Sequence, residues 1–247
     1  MSEGFRSTKL ADVTARFVEH DWVFPREHAA AIAAHWQDRI ARSPGMFDGT
    51  VLLCCAHAVV GRVARLDLFA TRYSTFTYYR HVRHADPQIR NAFAAIVPWT
   101  ADGAVLLGEM GAHTANAGQL YFPCGTPDPD DVRGDSVDLT GSAARELLEE
   151  TGLALPAEAE TDWVMLEGEN QLAFLRPVRF PEPAAVIEAR IADHLRREAE
   201  PELAGMRSVR SAAEIDPARM PGFVRAYLAE AFSRGAWRFP ITSKQGR

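Results

Sequence analysis

Apolar and polar positions fall into two rhythms along the chain. Thr50 to Val60 is an almost unbroken apolar run of strand length, and Arg62 to Phe69 carries Val63, Ala64, Leu66 and Leu68 in a looser alternation. Gly61 between them marks a hairpin or a bulge. Phe93 to Val97 and Val105 to Leu107 form a second pair of runs, joined by Thr100-Ala101-Asp102-Gly103, and Asp-Gly is a strong hairpin turn. Trp163 to Leu166 and Leu172 to Val178 read as a third hairpin around Gly168, and Met206 to Val209 as a short strand. The turn glutamates Glu167 and Glu169 are expected to face solvent. Helical spacing appears elsewhere. Pro25 to Ala41 is Ala-rich, with its proline near the first turn, and Thr14 to Glu19 also reads as helix. Pro183 to Arg197 sets Val186, Ile187, Ile191 and Leu195 at helical intervals, and Pro221 to Phe232 does so with Phe223, Val224, Tyr227, Leu228 and Phe232. This mixture predicts an α+β protein.

One helix carries unusual chemistry. Arg145-Glu146-Leu147-Leu148-Glu149-Glu150-Thr151-Gly152-Leu153 follows helix-compatible Ala143 and Ala144, and Gly152 stands where a left-handed cap ends the last turn. Positions three and four apart share a face, so Glu146, Glu149 and Glu150 line one side. Three neighbouring carboxylates repel unless a cation offsets them. Mg²⁺ takes oxygen ligands of this kind and keeps waters and substrate phosphates in its shell. On composition alone a solvated charged face, with Arg145 and Glu149 as an ordinary i,i+4 pair, is the commoner explanation.

Charge and cysteine content narrow the classes. The 247 residues carry a formal net charge of −6, which argues against broad binding to a nucleic-acid backbone. Cys54, Cys55 and Cys124 are odd in number and two are adjacent, so no disulfide framework is indicated and a reducing compartment fits. Met1-Ser2-Glu3-Gly4 lacks the pattern of a secretory signal. The longest apolar run, near Val51 to Val60, is too short and too interrupted by His57 to span a bilayer. A cytoplasmic enzyme without nucleic-acid or membrane partners is expected. Tyr73, Phe76, Tyr78 and Tyr79 are followed by Arg80, His81, Arg83 and His84. Rings of this kind can cover a base or sugar, and arginines can hold phosphate, but a core role for the rings is the favoured reading. No pair of histidines has a metal-binding spacing.

The order of residues 145–153 reverses the odds. Arg-Glu-apolar-x-Glu-Glu-x-Gly-apolar resembles the second half of the Nudix box, with all its fixed positions present. The preceding hairpin, short polar loop and Pro123-Cys124-Gly125 turn also resemble that family, with Cys124 in place of a glycine. The resemblance implies an α/β/α sandwich over residues 91–247, a mixed sheet between helices, with residues 1–90 as an N-terminal α+β extension or small lobe. It implies Mg²⁺, with Mn²⁺ as substitute, held by Glu146, Glu149, Glu150 and the backbone oxygen of Gly125. Arg145 would orient the carboxylates. A further glutamate before the last strand, Glu200 or Glu202, would act as ligand or base, and Glu202 is carried forward as catalytic. Arg80, His113 and Asn116 are the candidate substrate contacts. The implied reaction is hydrolysis of the diphosphate linkage of a nucleoside diphosphate joined to another moiety, with a homodimer common in the family.

The first half of the box departs from the pattern. A glycine fourteen positions and a glutamate eight positions before the arginine are expected; Asp131 and Val137 stand there. Gly125 lies twenty positions before Arg145, so the loop holds an insert, Thr126-Pro127-Asp128-Pro129-Asp130-Asp131. Asp135 or Asp138 could replace the missing glutamate; capping of the helix by Asp138 or Thr140 is the favoured alternative. The insert and the N-terminal extension more weakly resemble the branch acting on nucleotide sugars such as UDP-glucose. Two other classes stay open: a non-catalytic Nudix-fold nucleotide sensor, and a structural module with a solvated acidic helix.

Overall fold

Successive residues of β5 (Asn91–Trp99) enter two different cores, and this sets the layers. Ala92, Ala94 and Ile96 point into one core, while Phe93, Ala95, Val97 and Trp99 point into the other. The computed structural model describes residues 4–83, 86, 88–114, 116–157, 159 and 162–233; His84 and the first three residues, which figured in the sequence reading, lie outside them. In chain order the elements before β5 are β1 (Arg6–Leu10), β2 (Asp12–Phe17), α1 (Phe24–Glu27), α2 (Ala29–Arg42), β3 (Thr50–Val60), β4 (Val63–Arg72) and α3 (Tyr73–His81). After it come β6 (Val105–Met110), β7 (Leu120–Tyr121), β8 (Cys124–Gly125), β9 (Val132–Arg133), β10 (Ser136–Val137) and α4 (Leu139–Thr151). The chain continues with β11 (Trp163–Gly168), β12 (Gln171–Arg179), α5 (Ala184–Leu195), β13 (Leu203–Val209) and α6 (Gly222–Ser233).

The larger sheet runs β1-β11-β12-β5-β6-β13, with β7 paired to β6 and β8 to β5. Only β12 and β5 pair in parallel within it. Ala143 and Leu147 of α4 and Ile187 and Ile191 of α5 cover one face, and Phe223, Val224, Tyr227 and Leu228 of α6 cover the other. This is the α/β/α sandwich with a mixed sheet that the sequence implied. Trp99 Nε1 donates to the Tyr227 hydroxyl at 3.0 Å, so even the polar ends of these buried rings are satisfied.

The smaller sheet runs β3-β4-β2-β10-β9. Leu52, Cys54, Leu66 and Leu68 on one face share the α4 core, while Val51, Leu53 and Phe69 on the other pack with Trp22, Phe24, Phe76 and Tyr79. The aromatic run thus supplies core, with Tyr79 edge-on to Trp22 and Phe24 at 5.2 and 5.3 Å. Gly61 marks the hairpin, which it turns at φ +63°; the bulge lies elsewhere, at a register shift between Cys54 and Ala56. Thr14 to Glu19, expected as helix, is a correction. Residues 12–17 form β2, which pairs with β4 and β10 while Arg16 grips Asp67 across the sheet at 2.7 Å. Its short polar pattern was ambiguous, and tertiary pairing decided it. Pairing also crosses the boundary expected near residue 90: β1 edges the larger sheet, and β2 binds β10 from the insert region. No helix among the described residues is long and apolar enough to cross a membrane.

Asp102 joins three elements. Its Oδ1 accepts from the Thr100 hydroxyl at 2.5 Å and from Ala184 N at the start of α5 at 2.9 Å, and its Oδ2 accepts from Arg210 at 3.1 Å. The Thr100 bond, then the Ala184 N–H, hold the carboxyl down at about 2. A depressed carboxylate contributes stability above its unfolded pKa and loses it as pH falls through the folded value. Asp102→Asn is therefore expected to lower the thermal midpoint at pH 7, with the gap to the parent narrowing as pH falls from about 4 towards 2. Thermal melts across that range check this; a gap independent of pH would contradict it.

Candidate active site

The buried side of α4 fixes what its other side presents. Ala143 and Leu147 are fully buried, which turns Arg145, Glu146, Glu149 and Glu150 away from the core, and Glu150 lines a cleft. The helix begins at Asp138, whose Oδ1 accepts from Gly141 N at 2.8 Å, and ends at Gly152 with φ +70°. A side chain at Gly152 would also meet the His194 ring at 2.8 Å. Opposite Glu146 lies β8, held to β5 by the pairs Ala94↔Gly125 and Ala95↔Cys124. The Glu146 carboxylate occupies the space that a Cβ on Gly125 would need, so Gly125 is required by close approach.

These carboxylates are held against their preference for water. Burial pushes Glu146 up to about 7; Arg145 opposes this, and Glu149, Glu202 and Asp131 reinforce it. Burial pushes Glu150 up to about 9, with Glu146 and Glu202 adding to it and the Cys124 backbone N–H working the other way. The Cys124 thiol is pushed up by burial and by the same three glutamates. Glu202, just before β13, thus belongs with Glu146 and Glu150. Glu200 lines only the outer part of the cleft.

Asp131 is the residue that sequence reasoning missed. Arg145 Nη2 donates to Asp131 Oδ1 at 2.8 Å, and Arg145 Nη1 lies 3.4 Å from Glu146 and 3.7 Å from Glu149. Asp131 is only 4% exposed. It closes a single turn, Pro129–Asp131, where Asp128 N donates to its Oδ2 at 3.2 Å and Asp130 N to Asp128 Oδ1 at 2.7 Å. Of the replacements considered from sequence, Asp135 is exposed and Asp138 caps the helix. Asp128-Pro129-Asp130-Asp131 was legible as an insert, but not as a turn whose last carboxylate reaches Arg145.

Two clefts meet at the carboxylates. One, of about 1110 Å³, is lined by His113, Asn116, Tyr73, Arg42 and Glu200 and reaches Glu202 and Cys124. The other begins as a pocket of about 280 Å³ holding Glu150, Glu202, Gly125, Asn116 and Arg80. Arg80 lies 5.6 Å over the Phe76 ring. Of the turn glutamates, Glu169 is exposed as expected, at the rim of this second cleft with its carboxylate close to Gly222. The expected solvent position of Glu167 needs correction. The Glu167 side chain is only 13% exposed and is gripped by Arg6, with Arg90 and His57 each at 3.5 Å.

Among the described residues no three His, Cys, Asp or Glu side chains converge on a common point able to hold a metal ion. The donor set still suits a hard divalent cation. It is all oxygen, and the burial and repulsion that oppose ionisation of Glu146 and Glu150 are what a cation would relieve. Glu146, Glu149 and Glu150 are the residues that would hold it.

The fold and site define a class: an α/β/α sandwich presenting an arginine-braced acidic helix at the meeting of two clefts. The sequence matches no protein-family model and no curated protein. Solved structures resemble part of it. A MutT protein from Methanosarcina mazei Go1 is 18% identical over 60% of this chain and 96% of its own, with a TM-score of 0.37. The Nudix hydrolase RenU from M. smegmatis is 21% identical over 55% and 79%, at 0.34. A Nudix hydrolase from Nitrosomonas europaea is 18% identical over 61% and 97%, also at 0.34. Likeness at this level assigns no function, which rests on the chain's own residues.

Two substitutions test the geometry. Gly125→Ala is expected to displace Glu146 and weaken Mn²⁺ binding at least tenfold, on the order of what a lost supporting contact costs a metal site; calorimetric titration of the folded variant reads this. Asp131→Asn removes the charge that seats Arg145 and is expected to weaken Mn²⁺ binding by about 10- to 100-fold, with Asp131→Glu recovering part of the loss. Unchanged affinity in Asp131→Asn would remove Asp131 from the site.

Proposed function

We propose that the chain is a Nudix-type hydrolase that cleaves the diphosphate linkage of a nucleoside diphosphate joined to another moiety. The observation that carries this is the acidic face of α4, whose Glu150 lines a cleft that shares Asn116, Cys124 and Glu202 with a second one. A two-part substrate then lies with one half on each side and its charged link beside Glu146, Glu149 and Glu150. Nudix-type chemistry uses Mg²⁺, with Mn²⁺ as substitute, to offset phosphate charge and ease deprotonation of water.

The protein's own groups divide the remaining work. Asp131 fixes Arg145, and Arg145 orients Glu146 and Glu149. Glu202 positions the attacking water and takes its proton. His113 and Asn116 hold one half of the substrate and Arg80 the other. The bond broken lies between a phosphorus and the bridging oxygen, and water supplies the new oxygen, so both products carry phosphate. The Arg145–Asp131 pair supplies an acidic brace at the variant half of the box, which favours hydrolysis over a non-catalytic sensor. Nucleotide sugars such as UDP-glucose are the first substrates to try, given the insert before α4.

The test is release of phosphate-bearing products from UDP-glucose, ADP-ribose, dinucleotides, coenzyme A and nucleoside triphosphates, with Mg²⁺, with Mn²⁺ and with EDTA. Cleavage of one class that EDTA abolishes is expected. Glu149→Gln and Glu150→Gln should each lower that turnover about 100-fold. Full activity in both variants would refute the assignment of α4, and tight binding of a compound without turnover would favour the sensor.

A further inference from the structure

The second cleft opens beyond the carboxylates into an outer pocket of about 700 Å³ between α3 and the β11–β12 turn. Arg80, Asn91, Glu169 and Gln171 line both the inner and the outer parts, so the two are continuous. Among the described residues, those other than glycine with positive φ are Arg83 (49°), Glu169 (50°) and Asn170 (58°), and all three line this pocket. Such backbone is uncommon away from glycine and asparagine and gathers at ligand sites. The two-residue turn needs positive φ at both Glu169 and Asn170, and Arg83 follows Val82, the cap of α3, where left-handed backbone ends a helix; a hairpin turn and a helix end thus meet at this pocket.

One buried acceptor and two cationic groups of the pocket bear on what it holds. Asn91 Oδ1 is buried with no hydrogen-bond partner. Among the described residues neither Arg80 nor Arg83 is in an ion pair: Arg80 rests on Phe76, and Glu169, an acid of the same wall, accepts from Gln171 Nε2 at 3.5 Å. A buried acceptor calls for a hydroxyl or N–H, and two exposed guanidinium groups on one pocket wall, in a protein of net charge −6, suit an anion.

We propose that this outer pocket receives the end of the substrate remote from the scissile link, and that this end is a sugar bearing a carboxylate or phosphate of its own. Its hydroxyl donates to Asn91 Oδ1, its anion meets Arg80 and Arg83, and Phe76 lies along the path between. The proposal rests on the reading of α4 as the site of diphosphate cleavage and adds the charge of the substrate's far end.

Matched pairs test it: UDP-glucose against UDP-glucuronate for a carboxylate, and ADP-ribose against its 2′-phosphate for a phosphate. Binding to the full chain is measured by calorimetry in EDTA, and hydrolysis separately in Mg²⁺. The anionic member of one pair is expected to bind about tenfold tighter, as one charge-assisted hydrogen bond would give. Arg80→Ala and Arg83→Ala should each bring the ratio towards one, and so should added salt on the unaltered protein. Equal binding within both pairs, or a ratio untouched by either substitution and by salt, would overturn the pocket assignment. Discrimination in binding without hydrolysis of any compound would instead overturn the proposed function and leave the pocket standing; hydrolysis without discrimination would do the reverse.

Discussion

Two buried carboxylates set side by side strain any protein, and the surroundings of α4 are arranged around that constraint. Burial and mutual repulsion both oppose ionisation of Glu146 and Glu150. The structure does not relieve this with a full set of countercharges. It supplies one guanidinium, Arg145, and spends that guanidinium partly on Asp131. The leftover repulsion is what a cation would remove. Gly125 belongs to the same arrangement, because its missing side chain lets Glu146 sit against β8. The core-facing Ala143 and Leu147 keep the helix from rolling away from the tension.

Much of this was legible in the chain, where local signals were strong and the partners near. β3 is the apolar run Thr50 to Val60 with its limits as read, and α4 ends at the glycine whose left-handed backbone the sequence called for. The Asp-Gly hairpin and the amphipathic α5 and α6 follow from periodicity alone. β2 was misread because six residues of mixed polarity carry no decisive rhythm, and its state is set by strands fifty and one hundred and twenty positions away. Asp131 was counted at a position where its type looked wrong. Only the fold of the insert shows that its carboxylate reaches Arg145. The outer pocket was the least legible, since α3, β5 and the β11–β12 turn each bring a few residues to it.

The N-terminal region lines both clefts beside α4. Tyr73 and Arg42 wall one cleft, and Phe76 and Arg80 wall the other. Phe76 and Tyr79 of α3 thus belong to the aromatic core and to the wall of the outer pocket at once, which limits how far either role can change alone.

The pairing of the first strands with late ones also has a consequence in time. β1 finds its partner in β11, and β2 finds one of its partners in β10. During synthesis the amino-terminal strands leave the ribosome long before the segments that complete them, with their edges open to other chains meanwhile. Closing such distant pairs is slow. The chain thus carries open edges early in its life, until β10 and β11 arrive to cover them.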